Sequence, residues 1–330
     1  MGFGGTGWAT PVGQIDVDGA RRQVSLARDA GVNLFDTADV YSAGLSEEIL
    51  GKALGSSRDE VLVATKARLP MGDGPNDAGL SRHHIIRSAE ASLRRLGTDY
   101  IDLYQVHEWD GQTPLEETLR ALDDLVRSGK VRYIGCSNYA AWHLMKALWT
   151  ADRNGLTPFA SMQVYYSLQA RDIETELVPL AVDQGLGILV WSPIAGGLLS
   201  GKYRRGAEAP PGSRHLTEWS EPPVYDEDKL YDTIEALVAI GAERGASAAR
   251  VALAYTMAKP AVTSVIVGAR TEEQLADNLA AADLQLTAAD IERLDEVSAQ
   301  PLPYPFWHHL NVPERLSPAD LTLLGRHLGK

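Results

Sequence analysis

Short β-type runs alternate with amphipathic helical stretches along most of the 330-residue chain. Eight such runs span residues 2–5, 32–36, 61–66, 101–107, 131–137, 161–165, 187–192 and 263–269. Helical patterns lie between them, among others at 18–30, 82–96, 114–127, 173–184 and 231–244. Eight strands that alternate with helices predict a closed parallel barrel. We therefore expect an α/β fold: one (β/α)8 TIM barrel domain over residues 1–330, a length that such barrels often reach.

The helical stretch 114–127 carries a readable start, a stop and a buried face. Thr113 is expected to cap the helix, with Pro114 at its first position and Gly129 as the stop. Its leucines recur at helical spacing and predict one buried stripe.

Six of the eight runs end in or near a polar residue: Asp36, Lys66, His107, Ser137, Gln163 and Ser192. In a barrel these side chains converge on the C-terminal mouth, where the active sites of that fold lie. The alternative, an open doubly wound sheet, would spread them along an edge of roughly 35 Å at about 4.8 Å per strand. Polar side chains that meet at one mouth are better placed for chemistry than ones spread along an edge, and this favours the barrel.

Composition excludes several classes of function. The net charge of −13 and the pI of about 5.1 argue against nucleic acid or an anionic membrane as a partner, so an anionic ligand needs local positive charge. Cys136 is the single cysteine, so no disulfide can form within the chain, and we expect it in the core. The histidines lack metal-ligand spacing, so no metal is expected. No membrane span or secretory signal is apparent, which predicts a cytoplasmic protein.

Four polar side chains follow three of the runs: Asp36 and Tyr41 in NLFDTADVY, Lys66 in VLVATK and His107 in DLYQVH. A phenol alone is a poor acid at neutral pH, because its ordinary pKa is about 10. An adjacent ammonium lowers that pKa, and a carboxylate beside the ammonium keeps it charged. Together with an imidazole, these groups can form a proton relay aimed at a carbonyl oxygen.

The order of these segments resembles the aldo-keto reductases. FDTADVYS, ATK and QVH match the catalytic segments of that family, and GCSNY (135–139), MQVYYS (162–167), VWSPIAGGLLSGKY (190–203) and VGARTEEQLADN (267–278) follow in family order. The resemblance implies NADPH-dependent reduction of an aldehyde or ketone, with Tyr41 as the proton donor. It also implies that Lys66, paired with Asp36, lowers the pKa of Tyr41, and that His107 orients and polarises the carbonyl.

The resemblance further implies a set of cofactor contacts. These are Gly5 and Thr6 beside the nicotinamide ribose; Ser137, Asn138 and Gln163 at the carboxamide; Trp191 stacked on the ring; Ser192, Gly197 and Lys202 at the pyrophosphate, with Pro193, Ile194 and Arg214 as further contacts; and Gly268, Arg270, Gln274 and Asn278 at the adenosine end. Arg270 lies near a predicted helix start and can pair a 2′-phosphate, which favours NADPH, with NADH still possible.

Two glycine motifs suggest other nucleotide sites, but the residues around each motif do not fit the site that it suggests. Residues 2–7 match GxGxxG, but no strand can precede them and Thr10-Pro11 follows where a helix is needed. Residues 196–202 match GxxxxGK, but Tyr203 stands where a P-loop needs Ser or Thr. A glycine-rich loop with one lysine still suits phosphate binding through backbone N–H groups.

Two long Gly- and Pro-rich stretches, 67–81 and 203–228, follow strand ends and are expected to lie over the mouth as lids. The tail from about residue 300 is aromatic over 301–313 and is expected to line the pocket or a subunit contact. Family members usually open with a hairpin that plugs the barrel floor; whether this chain has one stays open, as does a monomeric or homo-oligomeric state.

Two other functions remain open on the sequence. One is a cofactor-binding regulatory protein, similar to the potassium-channel β subunits that share this fold. The other is a TIM-barrel hydrolase with paired carboxylates such as Glu108 and Asp110, although it leaves Tyr41 and Lys66 unexplained. The identity of the carbonyl substrate is not readable, because the loops that would form the pocket walls are not fixed by sequence pattern.

Overall fold

Parallel strands joined by helices build both of the compact units into which the chain divides. The computed structural model describes residues 2–6, 13–213 and 222–328. The first unit comprises Met1–Gln163 and Gly268–Ala276, and the second comprises Val164–Val267 and Asp277–Lys330. A single domain over 1–330 stays a prediction.

The first unit holds a parallel sheet whose strands pair in chain order. Its strands are β1 (Leu34–Asp36), β2 (Leu62–Ala67), β3 (Ile101–Val106), β4 (Val131–Ser137) and β5 (Ser161–Tyr165), the last two residues of β5 belonging to the second unit. Its helices are α1 (Val17–Asp29), α2 (Leu45–Leu54), α3 (Arg82–Leu96), α4 (Leu115–Arg127) and α5 (Ala141–Asn154).

The second unit repeats the strand-and-helix pattern. Its parallel pair is β6 (Gly187–Trp191) and β7 (Val262–Val265). The helices along this part of the chain are α6 (Leu177–Gln184), α7 (Glu227–Arg244), α8 (Ala248–Met257), α9 (Glu272–Leu279), α10 (Ala288–Val297), α11 (Phe306–His309) and α12 (Pro318–Leu324), of which α9 starts in the first unit. No helix within the described ranges combines the length and apolar character needed to cross a membrane.

Local capping explains where α3 begins and ends. The Ser81 hydroxyl accepts the N–H of His84 at the start of α3, and Gly97 ends that helix at a φ of 65°. The predicted cap of α4 is wrong. Pro114 itself occupies the cap position with extended ψ, because the Thr113 hydroxyl donates instead to Asp110 at 2.7 Å.

The predicted first strand, residues 2–5, is not a strand. Phe3 makes one isolated parallel bridge to Ile15, while Gly4 and Gly5 take φ values of 102° and 108° that extended pairing does not allow. The predicted run 263–269 is likewise shorter, as Val262–Val265. The α/β class with parallel strands is confirmed, whereas the eighth strand and barrel closure stay predictions.

The predicted loop 67–81 holds no helix or strand beyond the end of β2 and is tied down at several points. Gly79 N–H donates to Arg68 O at 2.8 Å, and Leu80 N–H donates to the Asp110 carboxylate at 2.7 Å. Of the second predicted loop, 203–228, residues 214–221 lie outside the described ranges. In the tail, Tyr304 and Trp307 are exposed. The lid and pocket roles of these segments stay predictions.

Candidate active site

Strand register places polar side chains on one face of the sheet in the first unit. Asp36 pairs with Ala64, which lies two residues before Lys66, and Lys66 pairs with Gln105. The pairing continues in the same way through β4 and β5. Side chains along a strand repeat with a period of two, and register partners point to the same side. One face therefore carries Asp36, Lys66, Gln105, Ser137 and Gln163.

Lys66 is the centre of this face and is fully buried. Its Nζ donates to Asp36 Oδ1 at 2.5 Å and to the carbonyl oxygen of Thr37 at 2.8 Å. Burial opposes the ammonium charge, but the Asp36 carboxylate and a hydrogen bond with Tyr41 outweigh it and raise the pKa of Lys66. Lys66 is therefore charged at neutral pH.

The second oxygen of Asp36 accepts two amide donors. Gln163 Nε2 lies 2.8 Å from Asp36 Oδ2, and Gln105 Nε2 lies 3.3 Å from it. Gly135 makes room for this arrangement, because a Cβ there would lie 2.9 Å from Ser161 Oγ and 3.3 Å from the side chain of Gln105. The carboxylate is thus held in one orientation by side chains from three other strands, β2, β3 and β5.

Tyr41 follows β1 in a short turn that extends the pairing to β2. Asp39 N–H donates to Lys66 O at 3.1 Å, and Tyr41 N–H donates to Ala38 O at 3.2 Å. The Tyr41 ring centroid lies 5.1 Å from Lys66 Nζ and 5.6 Å from the centre of the His107 imidazole. The turn therefore brings the phenol against both the ammonium and the imidazole.

The pKa of Tyr41 departs from the expected direction. Burial raises it, the Lys66 charge lowers it as predicted, and Asp36 raises it again, so that the net shift is upward. The predicted net lowering is therefore wrong for the protein as it stands. The physical reason is that desolvation of the phenolate exceeds the attraction of one ammonium whose charge Asp36 partly neutralises. Tyr41 is a protonated phenol at neutral pH.

The segment Gly4–Thr6 packs on the turn that follows Tyr41. Ser42 there has a φ of 53°, and its Oγ accepts the N–H of Gly5 at 3.0 Å. The Thr6 hydroxyl donates to Ser42 O at 3.0 Å, and a Cβ on Gly4 would lie 2.7 Å from Ser42. Gly5 and Thr6, both predicted cofactor contacts, therefore lie beside the turn that carries Tyr41.

His107 lies two residues beyond Gln105, on the same face, and its N–H donates to Ala67 O at 2.9 Å. Burial, followed by the charges of Lys66 and Arg68, holds the pKa of His107 well below its ordinary value. Its Nδ1 is buried without a hydrogen-bond partner in the described ranges. A neutral imidazole can still donate one hydrogen bond to a substrate oxygen.

Comparison with known proteins matches this chain to one family. The model of the aldo/keto reductase family covers residues 1–299. The chain belongs to the aldo/keto reductase family. Among its relatives is a probable voltage-gated potassium channel subunit beta of Arabidopsis thaliana, 38% identical over 298 residues, or 88% of this chain and 90% of that one.

Two further relatives carry oxidoreductase names. An uncharacterized oxidoreductase of Bacillus subtilis (strain 168), YrpG, is 40% identical over 293 residues, covering 86% of this chain and 87% of the relative. The versiconal hemiacetal acetate reductase of Aspergillus parasiticus is 36% identical over 323 residues, covering 90% and 91%. The family generally uses NAD(P)H, and these matches support an oxidoreductase role.

Three predicted carboxamide contacts adjoin the candidate catalytic face. Asn138 has a φ of 55°, its N–H donates to Gln163 O at 3.1 Å, and its Nδ2 donates to His107 O at 3.3 Å. Ser137 is buried beside it at the end of β4. Gln163 donates its amide nitrogen to Asp36, so its amide oxygen is the group that can accept a hydrogen bond.

The predicted adenosine-end residues lie before and within α9. Gly268 and Arg270 are exposed, and Gln274 Oε1 accepts the N–H of Arg270 at 3.0 Å. Arg270 directly precedes Thr271, whose hydroxyl caps the helix by accepting the N–H of Gln274 at 3.2 Å. The helix start predicted at Arg270 is confirmed, and its contact with a phosphate stays a prediction. Asn278 is half-buried near the helix end.

In the second unit, the predicted pyrophosphate loop is a tight turn after β6. Trp191 ends the strand against the Tyr165 ring at 4.9 Å, and Ser192, with a φ of 54°, accepts the N–H of Gly196 on its Oγ at 2.8 Å. Pro193 and Ile194 begin the turn, Gly197 has a φ of 101°, and Lys202 is exposed at its far end. Arg214 lies outside the described residues.

The carboxylates of the hydrolase alternative have other roles. Asp110 accepts the N–H groups of Leu80 and Gln112 and the hydroxyl of Thr113. Burial by itself would raise the pKa of Asp110, but these hydrogen bonds lower it. Asp110 thus organises a loop, and Glu108 forms a long ion pair with Arg68.

Across the described ranges no cluster of three or more His, Cys, Asp or Glu residues could hold a metal, and the absence of a metal stays a prediction. Cys136 is buried, as predicted.

Sequence reasoning missed a second layer of buried charge behind the site. Glu47 accepts the Thr65 hydroxyl at 2.5 Å and Arg95 Nε at 2.6 Å. Asp39 is fully buried nearby, and neither of its carboxylate oxygens has a hydrogen-bond partner among the described residues. Burial, then the charge of Glu47, raises the pKa of Asp39 to about 8. Asp39 is therefore a neutral acid at pH 7.

Asp39→Asn is expected to change how stability depends on pH. The folded chain keeps the Asp39 proton up to about pH 8, while an unfolded aspartate loses it near pH 4, so the free energy of unfolding of the wild type falls as pH rises between these values. Asparagine mimics the neutral acid and removes up to about 1.4 kcal/mol per pH unit of that slope. Urea unfolding from pH 5 to 9 measures it, with exposed Asp152→Asn as the matched control. Identical slopes for wild type and Asp39→Asn would contradict the assignment.

Proposed function

We propose that this protein is an NADPH-dependent reductase that converts an aldehyde or ketone to an alcohol, reversibly, with Tyr41 as the proton donor. The observation that carries the proposal is the buried Lys66, which contacts Asp36 at 2.5 Å and is hydrogen-bonded to Tyr41. A charged lysine between a carboxylate and a protonated phenol is an arrangement suited to proton transfer. It has no evident use in a purely structural site.

The proton is held at Tyr41 Oη, because the pKa of this phenol lies above its ordinary value. As a carbonyl oxygen gains negative charge, Tyr41 gives up its proton and Lys66 stabilises the phenolate that remains. Neutral His107, with its ring centre 5.6 Å from that of Tyr41, donates a hydrogen bond to the same oxygen and polarises the carbonyl. In the direction of alcohol oxidation, the Tyr41 phenolate accepts the proton.

The residues beside the site fit a nicotinamide carboxamide. Its N–H groups need acceptors, and the amide oxygen of Gln163, whose nitrogen donates to Asp36, can serve as one. The close packing of Gly4 and Gly5 on the Tyr41 turn gives a backbone surface without side chains. When bound, the cofactor supplies the hydride that the carbonyl carbon accepts.

The simplest test measures binding and turnover in sequence. NADPH fluorescence should change on binding and then be lost when an aldehyde is added. Binding without consumption across a broad panel of aldehydes and ketones would instead favour a regulatory protein with little turnover, the alternative supported by the relatives named channel β subunits. We propose a small-molecule carbonyl substrate and a cytoplasmic location, in a monomer or homo-oligomer.

Arg270 is expected to set the preference for NADPH over NADH. If its guanidinium pairs the 2′-phosphate, Arg270→Ala weakens NADPH binding by about 1.5–3 kcal/mol, or less because this exposed group is screened by salt. NADH lacks the phosphate and should lose little affinity. Dissociation constants for both cofactors measure the difference, with exposed Arg153→Ala as the control. Equal losses for the two cofactors would show that Arg270 only supports the local fold.

A further inference from the structure

Arg68 places a second cation beside the catalytic imidazole. It follows Ala67, the last residue of β2, whose carbonyl oxygen accepts the N–H of His107 at 2.9 Å. After burial and Lys66, its charge helps to lower the pKa of His107, and it opposes the burial that raises the pKa of Tyr139, so the guanidinium lies near both rings. Lys66 forms an ion pair with Asp36 and belongs to the proposed proton relay, whereas Arg68 is a cation that this relay does not use.

The Arg68 backbone is held in an unfavourable conformation. Its φ is +148°, a value that L residues rarely adopt. The adjoining loop fixes it there, because Gly79 N–H donates to Arg68 O at 2.8 Å. A strained position that its surroundings determine is common where a side chain serves a ligand.

Three buried polar atoms in this corner lack a hydrogen-bond partner in the described part of the chain: Arg68 Nε, His107 Nδ1 and Tyr139 Oη. Buried polar groups without partners are rare and costly, so a cluster of them indicates a ligand. Among the described residues, the carboxylate within ion-pair distance of Arg68 is Glu108, at 3.9 Å from a guanidinium nitrogen. That separation exceeds a hydrogen bond, so Glu108 balances the charge without occupying the donors.

From this corner we infer the substrate class of the proposed reductase: a carbonyl compound that also carries a carboxylate, which Arg68 binds while the carbonyl oxygen meets Tyr41 and His107. The inference rests on the proposed function. A guanidinium offers a planar pair of donors that matches a carboxylate. Since the chain has a net charge of −13, such a substrate must be held by local positive charge, which Arg68 supplies.

The test compares matched substrates that differ in one charge. We would measure kcat/KM with NADPH for 3- and 4-carboxybenzaldehyde, for their methyl esters and for benzaldehyde. The wild type is expected to prefer an acid over its ester. Arg68→Met should lower that preference by about 10- to 100-fold, the effect of losing a hydrogen bond to a charged group. The loss should fall mainly on KM, because the carboxylate binds alike in the ground and transition states.

Two further measurements keep the inference falsifiable if Arg68→Met folds poorly. Glu108→Gln should raise the preference for the acid, because it frees Arg68 from its neighbouring anion. Raising ionic strength from about 0.01 to about 0.5 M should lower the wild-type preference, because salt screens a partly exposed charge. Exposed Arg21→Met, whose guanidinium pairs with Asp18 on the surface, is the control and should leave the preference unchanged.

The outcomes separate this inference from the proposed function. If kcat/KM for benzaldehyde and the esters equals that for the acids, the inferred substrate class is wrong, and the proposed carbonyl reduction stands. If the preference exists but survives in Arg68→Met and is unaffected in Glu108→Gln, Arg68 is not the group responsible. If no aldehyde or ketone is reduced at all while NADPH binds, the proposed function fails, and the inference fails with it.

Discussion

Tyr41→Phe is expected to lower carbonyl reduction by about 10²–10⁴-fold while cofactor affinity stays nearly unchanged. The substitution removes only the hydroxyl that is hydrogen-bonded to Lys66, and it keeps the ring that packs 5.6 Å from His107, centre to centre. Steady-state rates with NADPH and an aldehyde measure the first effect, and cofactor fluorescence titration measures the second.

A matched control is Tyr100→Phe, which removes a hydroxyl that donates to Asp59 at 2.8 Å in the same unit but away from the site. That variant should keep wild-type turnover. Retention of more than a tenth of wild-type reduction by Tyr41→Phe would refute the role of Tyr41 as proton donor.

Lys66→Met is expected to be at least as damaging to turnover, because it removes the charge that stabilises the Tyr41 phenolate. It also leaves the Asp36 carboxylate buried without its ion-pair partner, which typically costs about 3–5 kcal/mol of stability. Rates alone would therefore confuse a lost catalytic charge with an unfolded protein. The free energy of unfolding, measured in urea alongside turnover, separates the two.

The double variant Asp36→Asn/Lys66→Met provides the control for that separation. It removes both charges of a pair whose atoms lie 2.5 Å apart, so much of the stability should return while turnover stays low. Recovery of turnover in the double variant would overturn the catalytic role of Lys66.

In the wild type, the rate of alcohol oxidation should also increase as pH rises, because Tyr41 then loses its proton and can accept one from the alcohol.

The candidate catalytic face could be anticipated from sequence because its residues stand at strand ends. Asp36, Lys66 and His107 each follow an apolar run, and parallel strands bring such ends to one edge. The side chains of Asp36, Lys66 and Tyr41 are in contact, and His107 packs against Tyr41, within the first unit. What local pattern predicts is the presence of these groups, not their partners.

The hydrogen-bond partners of these groups depend on the register between strands that are far apart in the chain. No local sequence pattern predicts that register. Gln105 and Gln163 reach the same oxygen of Asp36 from 69 and 127 residues away. The period-two spacing of Gln105 and His107 in DLYQVH was the available signal for Gln105. For Arg68, no pattern distinguishes a buried guanidinium nitrogen from a solvated one.

The buried acid behind the site has a consequence for the charge of the whole chain. The formal value of −13 counts every aspartate as ionised, including Asp39, whose pKa in the folded protein is about 8. An unfolded chain at pH 7 has released that proton. Folding at neutral pH therefore takes up a proton from the solvent at Asp39, and by this residue alone the native protein is one unit less negative than its composition indicates.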